Sequence, residues 1–235
     1  MGELENPVVV DFPLRGEWVA LQTPARRIPS HGTNALGQRY AFDFLRTDHR
    51  RGVIFFRSSL AKYWLAGIPT SDCYCWQEVV RAPFDGEVVA ARDGMRERKW
   101  LHPLVDLLSI VGNAVTAKAK VRLFGVRSLN VDTYVGNHVI LKRDSVYALF
   151  AHLTTNSVAV EPGQRVRVGD GLGKVGHTGN STAPHLHFQL MNSADLLSAR
   201  GIPCAFREYE VFDGGKWNAV VGGIPGYNVR IRSVQ

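Results

Sequence analysis

Three cysteines in 235 residues leave little for a covalent framework. Cys73 and Cys75 stand two apart, too close for an easy unstrained disulfide, and Cys204 is remote. No Cys-x-x-Cys pair offers a zinc ribbon, so buried, redox-inert thiols are expected. No apolar run reaches the ~18 to 20 residues that span a bilayer. The acidic start, Met1-Gly-Glu-Leu-Glu-Asn, lacks the basic and apolar regions of a signal peptide. It fits a cytosolic protein or a chain whose leader has been removed. Helix-turn-helix, zinc-finger and nucleotide-loop signatures are missing, and no internal repeat is visible.

What is present is basic and β-rich. The formal net charge of +7 favours polyanions. Nucleic acid, anionic lipid head groups and anionic wall polymers are the candidates. The basic residues are scattered (Arg26-Arg27, Arg50-Arg51, Arg96 to Lys99, Lys118 to Arg122) rather than interleaved with aromatics as single-strand binding requires. Nucleic acid is therefore not expected as a partner. Val, Phe and Tyr fall in short alternating runs among many glycines, which predicts strands and tight turns.

Along the chain, two short strands are expected between residues 7 and 22, then loop chemistry around His31, then a strand over Gln38–Leu45. In that strand Tyr40, Phe42 and Phe44 share the core side, which puts Asp43 on the other. Strands are also expected around the turn at Pro83 to Gly86, and in a hairpin at Arg143-Asp144. Gly214 to Gly226 reads as loop before a closing strand at Tyr227 to Arg232. Helical spacing appears near Ser58 to Ala66 and again at Leu101, Leu104, Val105, Leu108, Val111 and Val115. The second helix is expected to pack on the sheet; a membrane-surface helix is the alternative. The fold class is mainly β, an antiparallel sheet domain with a substrate groove plus a helical insertion. A single domain over 1–235 is expected, with insertions at about 46–72 and 95–133.

The chemistry concentrates in Gly179 to Leu190, around His185-Leu-His187. Strand residues two apart point the same way, so both imidazoles project into one space, roughly 7 Å apart. That suits one metal ligand beside one acid/base group. Asp43 and His152 are the other elements that could join them. Zinc takes imidazole and carboxylate ligands and keeps one position open for water in catalytic sites. The remaining histidines could act as general base and as oxyanion stabiliser. Spacing alone does not say which histidine does what. His49 and His138 are spare candidates, while His102 and His177 read as structural or solvent-facing.

Ordered motifs sharpen this. Pro83-Phe-Asp-Gly-Glu-Val-Val, Gly136-Asn-His-Val-Ile, Phe150-Ala-His152-Leu, Gly173-x-Val-Gly-x-Thr-Gly179 and Asn180-Ser-Thr-Ala-Pro-His185-Leu-His187-Phe resemble the lysostaphin-type zinc metallopeptidases. The resemblance runs from Tyr134 to Leu190, with a weaker stretch from Val79 to Gly94. It implies Zn2+ held by Asp43, His187 and one further histidine, with His152 and His185 catalytic. It departs at one point. The family's first ligands are spaced His-x-x-x-Asp, but four before Asp43 stands Arg39, a cation that cannot bind zinc. The nearest upstream candidate is His31, which a folded-back loop over Gly32 to Gly37 would return to Asp43. The resemblance further implies an endopeptidase acting on peptidoglycan cross-bridges or stem peptides, working extracytoplasmically in the periplasm or cell wall. The rival expectation is a metal-deficient relative that binds peptidoglycan or activates another hydrolase. A metallopeptidase acting on a non-wall protein is a third.

Overall fold

Alternation of aromatic and polar residues builds the central sheet of the computed structural model, which describes residues 4, 6–50, 52 and 54–234. The sheet has twelve strands. In chain order they are β1 (Val8–Val10), β2 (Glu17–Gln22), β3 (Phe42–Leu45), β4 (Gly86–Arg92), β5 (Asn137–Arg143) and β6 (Val146–Leu153). Then follow β7 (Arg165–Val166), β8 (Leu186–Met191), β9 (Gly201–Ile202), β10 (Cys204–Asp213), β11 (Lys216–Gly223) and β12 (Arg230–Arg232). Their spatial order is β1-β10-β12-β2-β3-β8-β6-β5-β4-β7, with β9 on β8 and β11 on β10. Among the described strands of this sheet only β1 and β10 pair parallel. The fold is mainly antiparallel β, as expected.

One face of the sheet carries the larger core. Phe42, Phe44, Phe150, Phe188 and Phe206 are fully buried there, with Phe150 and Phe188 ring centroids 5.4 Å apart. Each such ring removes enough apolar area from water to stabilise the fold by about 1.5–3 kcal/mol. The opposite face holds a smaller cluster, Val135, Ile140, Leu149, Ala151 and Met191, and leaves room beside it for polar groups. The three thiols are buried, and burial pushes the Cys75 thiol up to about 12. That keeps it protonated and unreactive.

Three helices lie outside the sheet. α1 (Leu60–Ala66) is capped by the Ser59 hydroxyl, which accepts from the Lys62 N–H at 3.2 Å. α2 (Pro103–Phe124) begins with proline in its first turn, and α3 (Asp132–Val135) leads into β5. No helix among the described residues is long and apolar enough to cross a membrane.

Three local expectations change. Residues 38–40 belong to the 3-10 segment Ala35–Tyr40, so only Phe42–Leu45 is strand. Leu36 and Gly37 there have φ of 56° and 75°, which turns the chain back instead of extending it. Most of the Gly214 to Gly226 stretch is strand and not loop: β11 pairs with β10 from Asp213–Lys216 to Phe206–Gly223, Gly214-Gly215 supply the positive-φ turn, and only 224–226 stay irregular. Finally, α2 does not lay its apolar residues on the sheet. Leu104, Val105, Leu108, Val111 and Val115 are 50–70% exposed, because the inward line of the helix carries Asp106, Ile110 and Asn113 instead.

Candidate metal centre

Register brings the first two groups together. β8 lies between β3 and β6, and its His187 is the cross-strand neighbour of both Asp43 and Ala151. Leu186, Phe188 and Leu190 face the large core, so His187 and Gln189 face the other side. Asp43 faces that side too, since Phe42 and Phe44 are core. His187 Nδ1 stands 2.9 Å from Asp43 Oδ1. His31 reaches the same carboxylate from the turned-back loop, with Nε2 2.9 Å from Oδ2. One ligand atom each from His31, Asp43 and His187 lies within 4.8 Å of the others.

The hydrogen-bond network assigns the imidazole protons. The Gln189 amide donates to Leu36 O at 2.7 Å, so its Oε1 faces His187 Nε2 at 2.9 Å and accepts from it. In the neutral ring, Nδ1 then holds the lone pair and directs it at Asp43. The Ser30 hydroxyl donates to Gln38 O and accepts from His31 Nδ1 at 3.0 Å, which leaves the His31 Nε2 lone pair directed at Asp43 as well. Three acceptor atoms therefore converge. Mutual repulsion of lone pairs makes such a cluster costly unless a cation sits among them, and imidazole, imidazole and carboxylate are the donor types zinc takes. Asp43 is an anion here. Burial alone would raise its pKa, but the neighbouring imidazoles of His31, His185 and His187 hold it well below the usual range.

His152 and His185 stand beside this cluster, ring centroids 4.7 Å apart. Strict alternation along β6 would send His152 into the core with Phe150. His152 instead takes φ of 63°, which resets the alternation: Leu153 enters the core and His152 turns to the site beside Ala151. Left-handed backbone costs a residue with a Cβ about 1–3 kcal/mol, and such strain gathers at functional positions. Its Nδ1 donates to Thr178 O at 2.9 Å, leaving Nε2 as the acceptor. Thr178 is placed by a tight approach of two glycines. A Cβ on Gly136 would lie 2.5 Å from Thr178 Oγ1, and one on Gly179 2.5 Å from Gly136 N. Burial, then the charges of His185 and His187, hold the His152 pKa well below the imidazole range, so it is neutral near pH 7.

His185 differs. Burial lowers its pKa, yet the adjacent Asp43 carboxylate outweighs that and leaves it raised. Its Nδ1 donates to Ala183 O at 2.8 Å, and its Nε2 is 3.5 Å from Asp43 Oδ1. Two imidazoles side by side thus shift in opposite directions, one down and one up, which is how acid and base roles divide. The cluster opens into a groove of about 400 Å³ that Gln22, Leu36, Tyr134 and Ile110 of α2 help to line.

The other histidines lie elsewhere. His49 is in a separate cleft with Thr47 and Glu17, His138 bonds Gly136 O within the strand layer, and His102 precedes α2. His177 is fully buried rather than solvent-facing, and its Nδ1 meets Ser181 Oγ at 3.0 Å. Sequence reasoning passed over Gln189 and Ser30. The same alternation that pairs His185 with His187 extends to Gln189, so a signal existed for one of them.

Known proteins share part of this chain's sequence. Residues 100–198 match the sequence model of Peptidase family M23, a span that includes His152, His185 and His187 but not His31 or Asp43. The chain is 36% identical over 58 residues to peptidoglycan DD-endopeptidase ShyA of Vibrio cholerae, covering 25% of this chain and 13% of that protein. It is 30% identical over 90 residues to peptidoglycan DD-endopeptidase ShyB of the same organism, covering 38% of this chain and 20% of that protein. The matches thus span a fifth or less of these relatives. The catalytic domain of lysostaphin from Staphylococcus simulans superposes with a TM-score of 0.38 at 18% identity, covering 80% of this chain and 88% of that one. The resemblance carried by the ordered motifs is borne out: residues 100–198 match Peptidase family M23.

Proposed function

We propose that the chain is a zinc-dependent endopeptidase that hydrolyses peptide bonds in peptidoglycan cross-bridges or stem peptides. The observation that carries this reading is the convergence of His31 Nε2, Asp43 and His187 Nδ1 on one point. His31, Asp43 and His187 would hold the metal. Zinc supplies a Lewis acid for the scissile carbonyl and for water. His152, neutral and with Nε2 as acceptor, takes the proton of the attacking water and passes it to the departing amine. His185, its Nδ1–H held by Ala183 O, faces with Nε2 the oxygen on which negative charge develops. Ser181 and Ala183 hold the His185 ring in that orientation.

The choice of peptidoglycan rests on the relatives, both named peptidoglycan DD-endopeptidases. It places the action outside the cytoplasm, where the net charge of +7 favours approach to anionic wall polymers and salt weakens that approach. The metal-deficient alternative needs an incomplete ligand set, and the position of His31 beside Asp43 weighs against it. Incubation with purified peptidoglycan tests the proposal. Release of peptide fragments that stops with a zinc chelator and returns with added zinc is expected. Binding to the wall without release would favour the non-catalytic reading.

A further inference from the structure

α2 leaves much of its apolar surface exposed to water. An ordinary surface helix turns its apolar stripe inward and its charges to water. Here the inward line bears polar groups with specific partners. Asp106 accepts from Arg98 at 2.9 Å and from the His102 N–H at 2.9 Å, and Arg98 also donates to Ser181 O. Asn113 donates to Asn180 Oδ1 at 2.9 Å, and Tyr134 donates to Asn113 O at 3.3 Å. These bonds fix which side faces the protein. Leu104, Leu108, Val111 and Val115, at i, i+4, i+7 and i+11, then form a stripe turned to water. Trp100, 51% exposed, stands just before the helix and donates to Ala66 O, which sets the end of α1 beside it. Trp64 and Leu65 of α1 are 56% and 84% exposed. An apolar surface of this extent marks a docking face.

The exposed charges along this segment have one sign. From Arg96 to Arg127 the exposed charged residues are Arg96, Lys99, Lys118, Lys120, Arg122 and Arg127, all cations. The two acids in that span are occupied: Glu97 accepts from Trp76 Nε1 at 3.1 Å, and Asp106 is 3% exposed. An apolar stripe with tryptophan at its edge and lysine and arginine around it fits the boundary between acyl chains and acidic head groups. A protein partner would need acidic groups around a dry centre; a bilayer rich in anionic lipid supplies both at once. We propose that α2, with Trp100 and the end of α1, is a docking surface for the face of an anionic lipid bilayer. Because Ile110 of the same helix lines the groove and Asn113 bonds the groove residue Asn180, docking would hold the groove mouth beside the membrane.

This proposal does not rest on the hydrolytic reading, and its test is separate. The whole protein is sedimented with vesicles of equal parts phosphatidylglycerol and phosphatidylcholine, and with pure phosphatidylcholine. Binding to the anionic vesicles is expected, roughly tenfold or more weaker for the neutral ones. Leu108→Glu with Val115→Glu should weaken it by roughly tenfold or more, and Lys118→Glu with Lys120→Glu likewise. Circular dichroism and thermal unfolding should match wild type in both variants, which separates lost docking from lost folding. No sedimentation with either vesicle would overturn the proposal. So would binding that salt abolishes but Leu108→Glu with Val115→Glu leaves intact, which is scattered-charge attraction alone. A concentration-dependent dimer broken by Leu108→Glu would instead assign the stripe to a second copy of the chain and also overturn it.

Discussion

His31 Nε2 stands 2.9 Å from Asp43 Oδ2 although the two residues are separated by 12 positions. A spacing of four would place both on neighbouring turns or strand positions without effort. Here the intervening chain does the work, through Leu36 and Gly37 in positive φ and through Ser30, which ties His31 to Gln38 O. Arg39, at the position where the family has its first ligand, is engaged with Asn34 and Tyr40. Replacing it by alanine is expected to leave metal content unchanged, which elemental analysis of the purified variant checks.

Gln189 fixes the tautomer of His187 and should set metal affinity without touching the metal. Gln189→Leu removes the acceptor for His187 Nε2 and the donor to Leu36 O. Outer-shell changes of this kind typically cost 10–100-fold in affinity. Competition with a zinc-responsive dye measures it, and an unchanged affinity would contradict the tautomer assignment.

His152→Ala and His185→Ala should each retain zinc and lose turnover by about 10²–10⁴-fold. The loss should appear in kcat rather than in peptide binding. Retained hydrolysis in either variant would refute its role.

His177 makes the fold sensitive to acid. Burial, then the charges of Arg98 and His185, push its pKa down to about 3. The unfolded imidazole takes its proton near 6.5. Between those values the unfolded chain binds one more proton, so stability falls as pH falls, by about tenfold in the unfolding constant per unit. Denaturant unfolding of His177→Gln at pH 7, 5 and 4 should show a slope smaller by about one proton than wild type. Parallel slopes would mean that His177 is already protonated in the fold.

Much of this was legible from the chain alone, and the reason is periodicity. Phe42-Asp43-Phe44 and Leu186-His187-Phe188 each state which side a residue takes, so the meeting of Asp43 with His187 needed only the correct strand pairing. Gln189 followed from the same rule and was passed over because an amide does not announce itself as a ligand's partner. His152 was found by its neighbours, yet its reach into the site depends on one left-handed residue that alternation cannot foresee. The orientation of α2 was not legible at all. Leu104, Leu108, Val111 and Val115 recur at helical spacing whichever side is covered. Only the partners of Asp106 and Asn113 decide it: Asn180, 67 residues away, and Arg98 and His102 close by.

The most direct test of the account is zinc stoichiometry in wild type and His31→Ala, read with peptidoglycan cleavage on the same preparations. About one zinc per chain with cleavage in wild type, and loss of both in a His31→Ala protein that still folds, is the result predicted. Full zinc retained by His31→Ala would contradict His31 as a ligand. Wild-type protein that takes up no zinc even when it is supplied would contradict the enzyme itself.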